Sequence, residues 1–272
     1  MKNSITLLLL AFISINLYSQ STSPYTWDWN KDGYVLGSAL GGTAAGFLMI
    51  QNKEGFTEQE VADFQNTIDN INFIDRWAAG NDDESANGPS DAFFYSSFAA
   101  PFVLLLDDEV NDHTGQVMGM YVESMAVTGA LFTISAGLTN RARPYVYSEE
   151  HPLKEQLGTS ATRSFFSGHV AATATATFFT AKVYSDFNPD SPAIPYIWAG
   201  AAIIPAAVAY YRLEAGQHFP TDLAIGYAVG ALSGYFIPEL HKTEKSNLNV
   251  AVIQDRDYFG EQFKGVSISY GF

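Results

Sequence analysis

Two stretches, Phe166-Ser167-Gly168-His169 and Tyr211-Arg212-(x5)-His218-(x3)-Asp222, hold the residue types that phosphoryl transfer through a protein nucleophile requires. That chemistry needs a side chain aimed at phosphorus, a proton donor for the departing oxygen, and donors around the equatorial oxygens. His218 and Asp222 lie one helical turn apart if a helix begins near Pro220, so Asp222 can accept from one ring nitrogen and leave the other unprotonated. His169 follows Gly168 at the start of an apolar run, where bare backbone can approach an oxyanion and Ser167 can add its hydroxyl. Upstream, Asn140-Arg141-Ala142-Arg143-Pro144 places two guanidinium groups beside a helix-stopping proline, and Arg212 is a third. Taken singly, each piece has an ordinary explanation as a helix cap, a helix-start hydrogen bond or a loop arginine. The order and spacing of all three, between apolar helices that bring their ends together, point to a covalent phosphohistidine mechanism on a phosphate ester.

The elements that must position these groups are helical. Six apolar runs, Tyr34–Gln51, Ala92–Leu106, Val117–Leu138, Phe165–Tyr184, Ile194–Tyr211 and Leu223–Ile237, are rich in alanine and glycine and nearly free of charge. They predict a closely packed all-α bundle of about six helices. Thr57–Asn70 reads as a more polar surface helix, and Ala78–Asp91 as a loop from its Gly, Pro, Asn and Asp content. Near the C-terminus Leu248–Ile253 and Val266–Tyr270 alternate with strand period around Gln254–Lys264, predicting a short β-hairpin. The N-terminus, basic at Lys2 and apolar from Ile5 to Leu17, reads as a secretory signal peptide. The predicted organisation is a signal peptide over 1–20, an extended lead-in over 21–32, a helical domain over 33–240 and a hairpin unit over 241–272.

Composition narrows the function. A formal net charge of −15 disfavours nucleic acid as a partner. It also makes the cations informative: no Lys or Arg stands between Arg76 and Arg141, whereas Arg141, Arg143, Arg163 and Arg212 fall in the motif region. There is no cysteine, so an oxidising compartment is permitted without disulfides. The apolar runs straddle the length of a membrane span. With a cleaved signal, however, three crossings would put Arg143 on the cytoplasmic side, and the acidic links carry no positive-inside signal. The expected location is the cell envelope, exported and facing the periplasm, in contact with or embedded in a membrane. His113, His151 and His241 lie in polar contexts and are expected to be solvated, and Asp107–Asp112 to be a surface turn.

The three motifs resemble the signature of the type 2 phosphatidic acid phosphatase and vanadium haloperoxidase superfamily: Lys-x6-Arg-Pro, Pro-Ser-Gly-His and Ser-Arg-x5-His-x3-Asp. The resemblance covers roughly 136–222 and, by helical pattern, about 33–240. It implies the helical fold of that superfamily, with Arg143, Arg212, Ser167 and the Gly168 amide holding phosphate oxygens. It further implies His169 as general acid, His218 as nucleophile and Asp222 as the partner that orients it, with no metal and no cofactor. Three positions depart: Ala136 stands where the family has lysine, Phe166 replaces the proline and Tyr211 the serine. Arg141 or a rotated neighbour is the expected substitute for the missing lysine as a phosphate ligand. The implied activity is hydrolysis of a lipid phosphate, an isoprenoid diphosphate or a soluble monoester. The alternatives are a vanadate-dependent haloperoxidase and a non-catalytic phosphate-binding or structural envelope protein.

Overall fold

The computed structural model describes residues 23–243, together with the backbone of 248–256 and 262–270. The chain divides into two compact units, 1–241 and 242–272. The first is the helical bundle that the apolar runs predict. Its principal helices are α1 (Asp32–Gln51), α2 (Glu58–Asn66), α3 (Asn87–Ser97), α4 (Thr114–Leu138), α5 (Gly168–Phe187), α6 (Ile194–Glu214) and α7 (Pro220–Leu240). In the second unit, strands β1 (Leu248–Arg256) and β2 (Gln262–Tyr270) pair antiparallel, with Val252 opposite Val266. The ladder runs on to Arg256 opposite Gln262, so part of the polar stretch expected to link the strands is itself paired. The signal-peptide expectation lies outside the described residues.

Helix α5 is the axis of the bundle. Its Val170, Ala174, Phe179 and Val183 are fully buried, and Thr175, Thr177 and Thr180 return their hydroxyls to backbone carbonyls, as Thr175 does to Ala171 at 2.9 Å. Glycine lets α7 lie directly on it. A Cβ on Gly226 would meet the Ser167 carbonyl oxygen at 2.6 Å, one on Gly230 that of Ala171 at 2.0 Å, and one on Gly234 that of Thr175 at 2.5 Å. Helices α1 and α4 approach in the same way, through Gly46 against Thr133 and Gly137 against Met49. These contacts set the helix ends that carry the motifs side by side.

Two predicted boundaries shift. The run from Phe165 begins its helix at Gly168, because Ser167 caps it by accepting from the Val170 amide at 3.5 Å. Of the stretch expected as a loop over 78–91, residues 79–83 are turn and irregular chain, while Glu84–Ala86 form a 3-10 turn and 87–91 are the first residues of α3.

Among the described residues, five helical stretches, 32–51, 84–106, 114–138, 194–214 and 220–240, are long and apolar enough to cross a membrane. Their outward faces expose large apolar side chains, among them Phe47, Phe102, Leu131, Ile203 and Leu232. So much outward apolar surface is that of a membrane-associated protein.

Candidate active site

The C-terminal ends of α4 and α6 and the N-terminal ends of α5 and α7 meet with the connections between them, and every motif residue lies there. Helix α6 ends in a Schellman turn. Gln217 donates its amide to the Arg212 carbonyl at 3.0 Å, Gly216 donates to Leu213 at 3.1 Å, and Gly216 takes φ +63°. A Cβ on Gly216 would also strike the Asn81 carbonyl oxygen at 1.9 Å. This turn reverses the chain within the five residues between Arg212 and His218, so that both face one place. Pro220 then opens α7, with Asp222 in its first turn.

His218 is buried, and its Nδ1 lies 2.6 Å from the carbonyl oxygen of Ser164. A carbonyl only accepts, so Nδ1 carries the proton and Nε2 keeps its lone pair. Burial, then the charge of Arg143, hold His218 well below the usual imidazole range. The ring is therefore a neutral base at physiological pH, in the tautomer a nucleophile needs.

Asp222 does not touch that ring. Its Oδ2 accepts from the Ser164 hydroxyl at 2.6 Å and the Phe219 amide at 3.1 Å, and its Oδ1 accepts from Arg141 at 2.6 Å. The direct Asp222–His218 bond expected from their spacing is replaced by a relay. Asp222 fixes the side chain of Ser164, and the Ser164 carbonyl fixes His218.

Arg141 also departs from expectation. Its guanidinium donates to Asp222, to Asp75 at 2.6 Å and to the Thr221 hydroxyl at 3.1 Å. Two carboxylates engage it, so it braces the start of α7. Asp75 is fully buried and accepts further from the Thr221 amide at 2.9 Å and from Asn72 at 2.7 Å. Burial pushes its carboxyl up, but the donors of Asn72, Thr221 and Arg141 outweigh it and hold the group below the usual carboxylate range.

His169 packs under Phe94, ring centres 4.2 Å apart, with its Nε2 3.4 Å from Asp91 Oδ1. The same oxygen accepts from Arg212 at 2.7 Å, and Asn87 takes the other arm of that guanidinium at 3.0 Å. Burial, and after it Arg212 and Arg143, lower His169 to about 3. Arg143 donates to the neutral side chain of Gln217, the residue before His218. Burial leads the causes that hold Arg143 at about 10. The Nε atoms of Arg143 and Arg212 are buried without an acceptor among the described residues. Ser167 is fully buried at the α5 N-terminus, its amide on the Asp222 carbonyl at 3.2 Å. Gly168 opens the helix, and first-turn amides have no intrahelical acceptor.

Sequence reasoning missed Ser164, Asp75, Asp91 and Asn87, which hold the motif residues from outside the three patterns, and Gln217, an unspecified position inside the third. It also took His151 and His241 as solvated, and both are buried. His151 lies 2.6 Å from Asp82 and stacks on Tyr145, while His241 sits between Asp32 at 3.4 Å and Glu123 at 3.3 Å. Tyr211, which stands in place of the family serine, stacks its ring on Phe93.

Residues 118–246 match the family model of the PAP2 superfamily, that of the type 2 phosphatidic acid phosphatases. The matched stretch contains all three motifs, whereas Lys53, Asp75, Asn87 and Asp91 lie before it. Members of the superfamily are phosphatases, which supports a phosphatase-type phosphoesterase here. No curated protein and no solved structure matches the chain.

Proposed function

We propose that the chain is a phosphohydrolase that works through a phosphohistidine on His218. Nε2 of His218 attacks phosphorus, and the bond from phosphorus to the alcohol oxygen breaks with its electron pair on that oxygen. His169 protonates the departing alcohol. Water, deprotonated by His169, then attacks phosphorus, the P–N bond breaks, and phosphate leaves with His218 neutral again. Arg143, Arg212, the Ser167 hydroxyl and the Gly168 amide surround the equatorial oxygens. The observation that carries this reading is the 2.6 Å contact of His218 Nδ1 with the Ser164 carbonyl, which leaves Nε2 bare beside two guanidiniums.

A phosphate near His169 also restores its proton. One negative charge about 4 Å away contributes roughly 4 kcal/mol at an effective dielectric of 20. At about 1.4 kcal/mol per pKa unit, that lifts an imidazole from about 3 into the range of a working acid. The acid is thus armed by the substrate it serves.

The outward apolar faces favour a lipid phosphate or isoprenoid diphosphate over a soluble monoester. The apolar run from Ile5 to Leu17 supports export, with the site serving the cell envelope on its periplasmic side. The test is turnover of a chromogenic phosphate ester and of phosphatidic acid in detergent by wild type and His218→Ala. The expected result is hydrolysis by wild type and none by the variant; equal rates would refute the proposal.

A further inference from the structure

The departure at Ala136 leaves one cation of the family pattern unaccounted for. Ala136 is fully buried in α4, and its carbonyl accepts from Lys53 Nζ at 2.9 Å. Two other basic groups besides Arg163 stand near this place, and both are engaged. Lys53 directs its ammonium at three carbonyls, those of Ala136, of Thr139 at 2.5 Å and of Thr162 at 3.4 Å, which uses all three of its donors. It closes the C-terminal end of α4. Arg141 is held by Asp75 and Asp222.

Arg163 is different. It pairs with Arg141 across an isolated parallel bridge, and the two segments are tied by the Arg143 amide on the Ala161 carbonyl and the Ser164 amide on the Arg141 carbonyl, each at 3.0 Å. Its neighbour Thr162 gives its carbonyl to Lys53, and its neighbour Ser164 gives its own to His218. Arg163 therefore stands between the ammonium beside Ala136 and the anchor of the nucleophile. Its positive charge acts on both Lys53 and Arg143. Among the described residues no carboxylate pairs with it, and its Nε is buried without an acceptor, as are those of Arg143 and Arg212. Neighbouring guanidiniums without a carboxylate between them repel one another, and an anion shared between them relieves this.

We infer that Arg163 supplies the phosphate contact that Ala136 cannot, holding an oxygen of the transferred phosphoryl group together with Arg143. The inference rests on the phosphoryl-transfer reading above. It makes the missing lysine a relocation of charge: the cation comes from the segment leading into Ser167-Gly168-His169 instead of from α4.

The test compares wild type, His218→Ala, Arg163→Ala and Arg163→Gln by chromogenic ester hydrolysis, orthovanadate inhibition and thermal melting. Losing one charged donor to the transition state costs on the order of 10²–10³ in rate. Arg163→Ala should lose that much kcat/KM, bind orthovanadate correspondingly more weakly, and recover part of its rate in millimolar guanidinium chloride. Wild-type kcat/KM and wild-type orthovanadate inhibition in a folded Arg163→Ala protein would overturn the inference. Should that variant not fold, Arg163→Gln, which keeps most of the stem, is read by the same criteria. An inactive His218→Ala alongside a fully active Arg163→Ala defeats this inference alone. Activity retained in His218→Ala defeats the parent reading and this one with it.

Discussion

Replacing Asp222 by Asn separates two ways of orienting a nucleophilic histidine. If the carboxylate held the imidazole itself, the amide would favour the wrong tautomer, and comparable substitutions at a histidine partner cost roughly 10⁴ in kcat. Here the imidazole is held by the Ser164 carbonyl at 2.6 Å, and Asp222 acts one bond further out, through the Ser164 hydroxyl at 2.6 Å. The substitution leaves the carbonyl in place, so the tautomer survives. What is lost is the charge on one buried hydrogen bond, worth about 1.5–3 kcal/mol. Expressed wholly in the alignment of His218, that is a fall in kcat of about 10- to 150-fold. Arg141 also loses one of its two carboxylates but keeps Asp75, so the melting temperature should drop without loss of the fold. The assay is kcat on a chromogenic ester with thermal melting in parallel, and the histidine tautomer read by nitrogen chemical shifts. A loss near 10⁴ in a folded variant, or a His218 ring with its proton moved to Nε2, would refute the relay.

Other perturbations test the surroundings of the site. Asp91→Asn removes the carboxylate shared by His169 and Arg212; because that side chain is 43% exposed, its effect on the protonated imidazole is about 1–2 kcal/mol, or roughly tenfold. The loss should appear with alkyl phosphates, whose oxygen must be protonated to leave, and nearly vanish with 4-nitrophenyl phosphate; equal losses on both would show that Asp91 does not serve the acid. His241 is expected to make stability depend on pH. Burial opposes its charge, but Glu123, the Ile237 carbonyl and Asp32 outweigh burial and raise it above 6.5. A raised imidazole contributes stability that is complete below its unfolded value and lost as pH rises through the folded one. His241→Gln should therefore melt lower than wild type at pH 6, by the equivalent of about 3–5 kcal/mol for a broken buried pair, and converge with it at pH 9. A constant difference across that range would contradict the assignment.

The helices and the three motifs were legible in the sequence because both are local. Runs such as Val117–Leu138 announce themselves by unbroken apolar content, and His218 and Asp222 by their separation along one turn. What could not be read was the layer that holds them. Asp75 meets Thr221 across 146 residues, and Asp91 meets Arg212 across 121; neither sits in a periodic pattern, and both look like solvated loop acids. Ser164 gives no sign that its carbonyl will seat a histidine 54 residues away. The expectation that His151 and His241 are solvated failed for the same reason. Polar neighbours in sequence say little about burial when the partners, Asp82 and Glu123, come from distant segments. Arg141 and Arg143 are two residues apart and chemically identical, yet one braces α7 through two carboxylates while the other faces neutral Gln217. Only the arrangement in space distinguishes an arginine held by two carboxylates from one that faces a neutral amide.

The central claim is that phosphorus passes through the imidazole of residue 218. Rapid acid-free quenching of the enzyme during turnover of a radiolabelled or chromogenic phosphate ester, followed by peptide mass spectrometry, tests it directly. The expected result is an acid-labile, base-stable phosphoryl group on His218 that accumulates under substrate and disappears on chase. Full turnover with no such adduct, or with the phosphoryl group on another side chain, would contradict it.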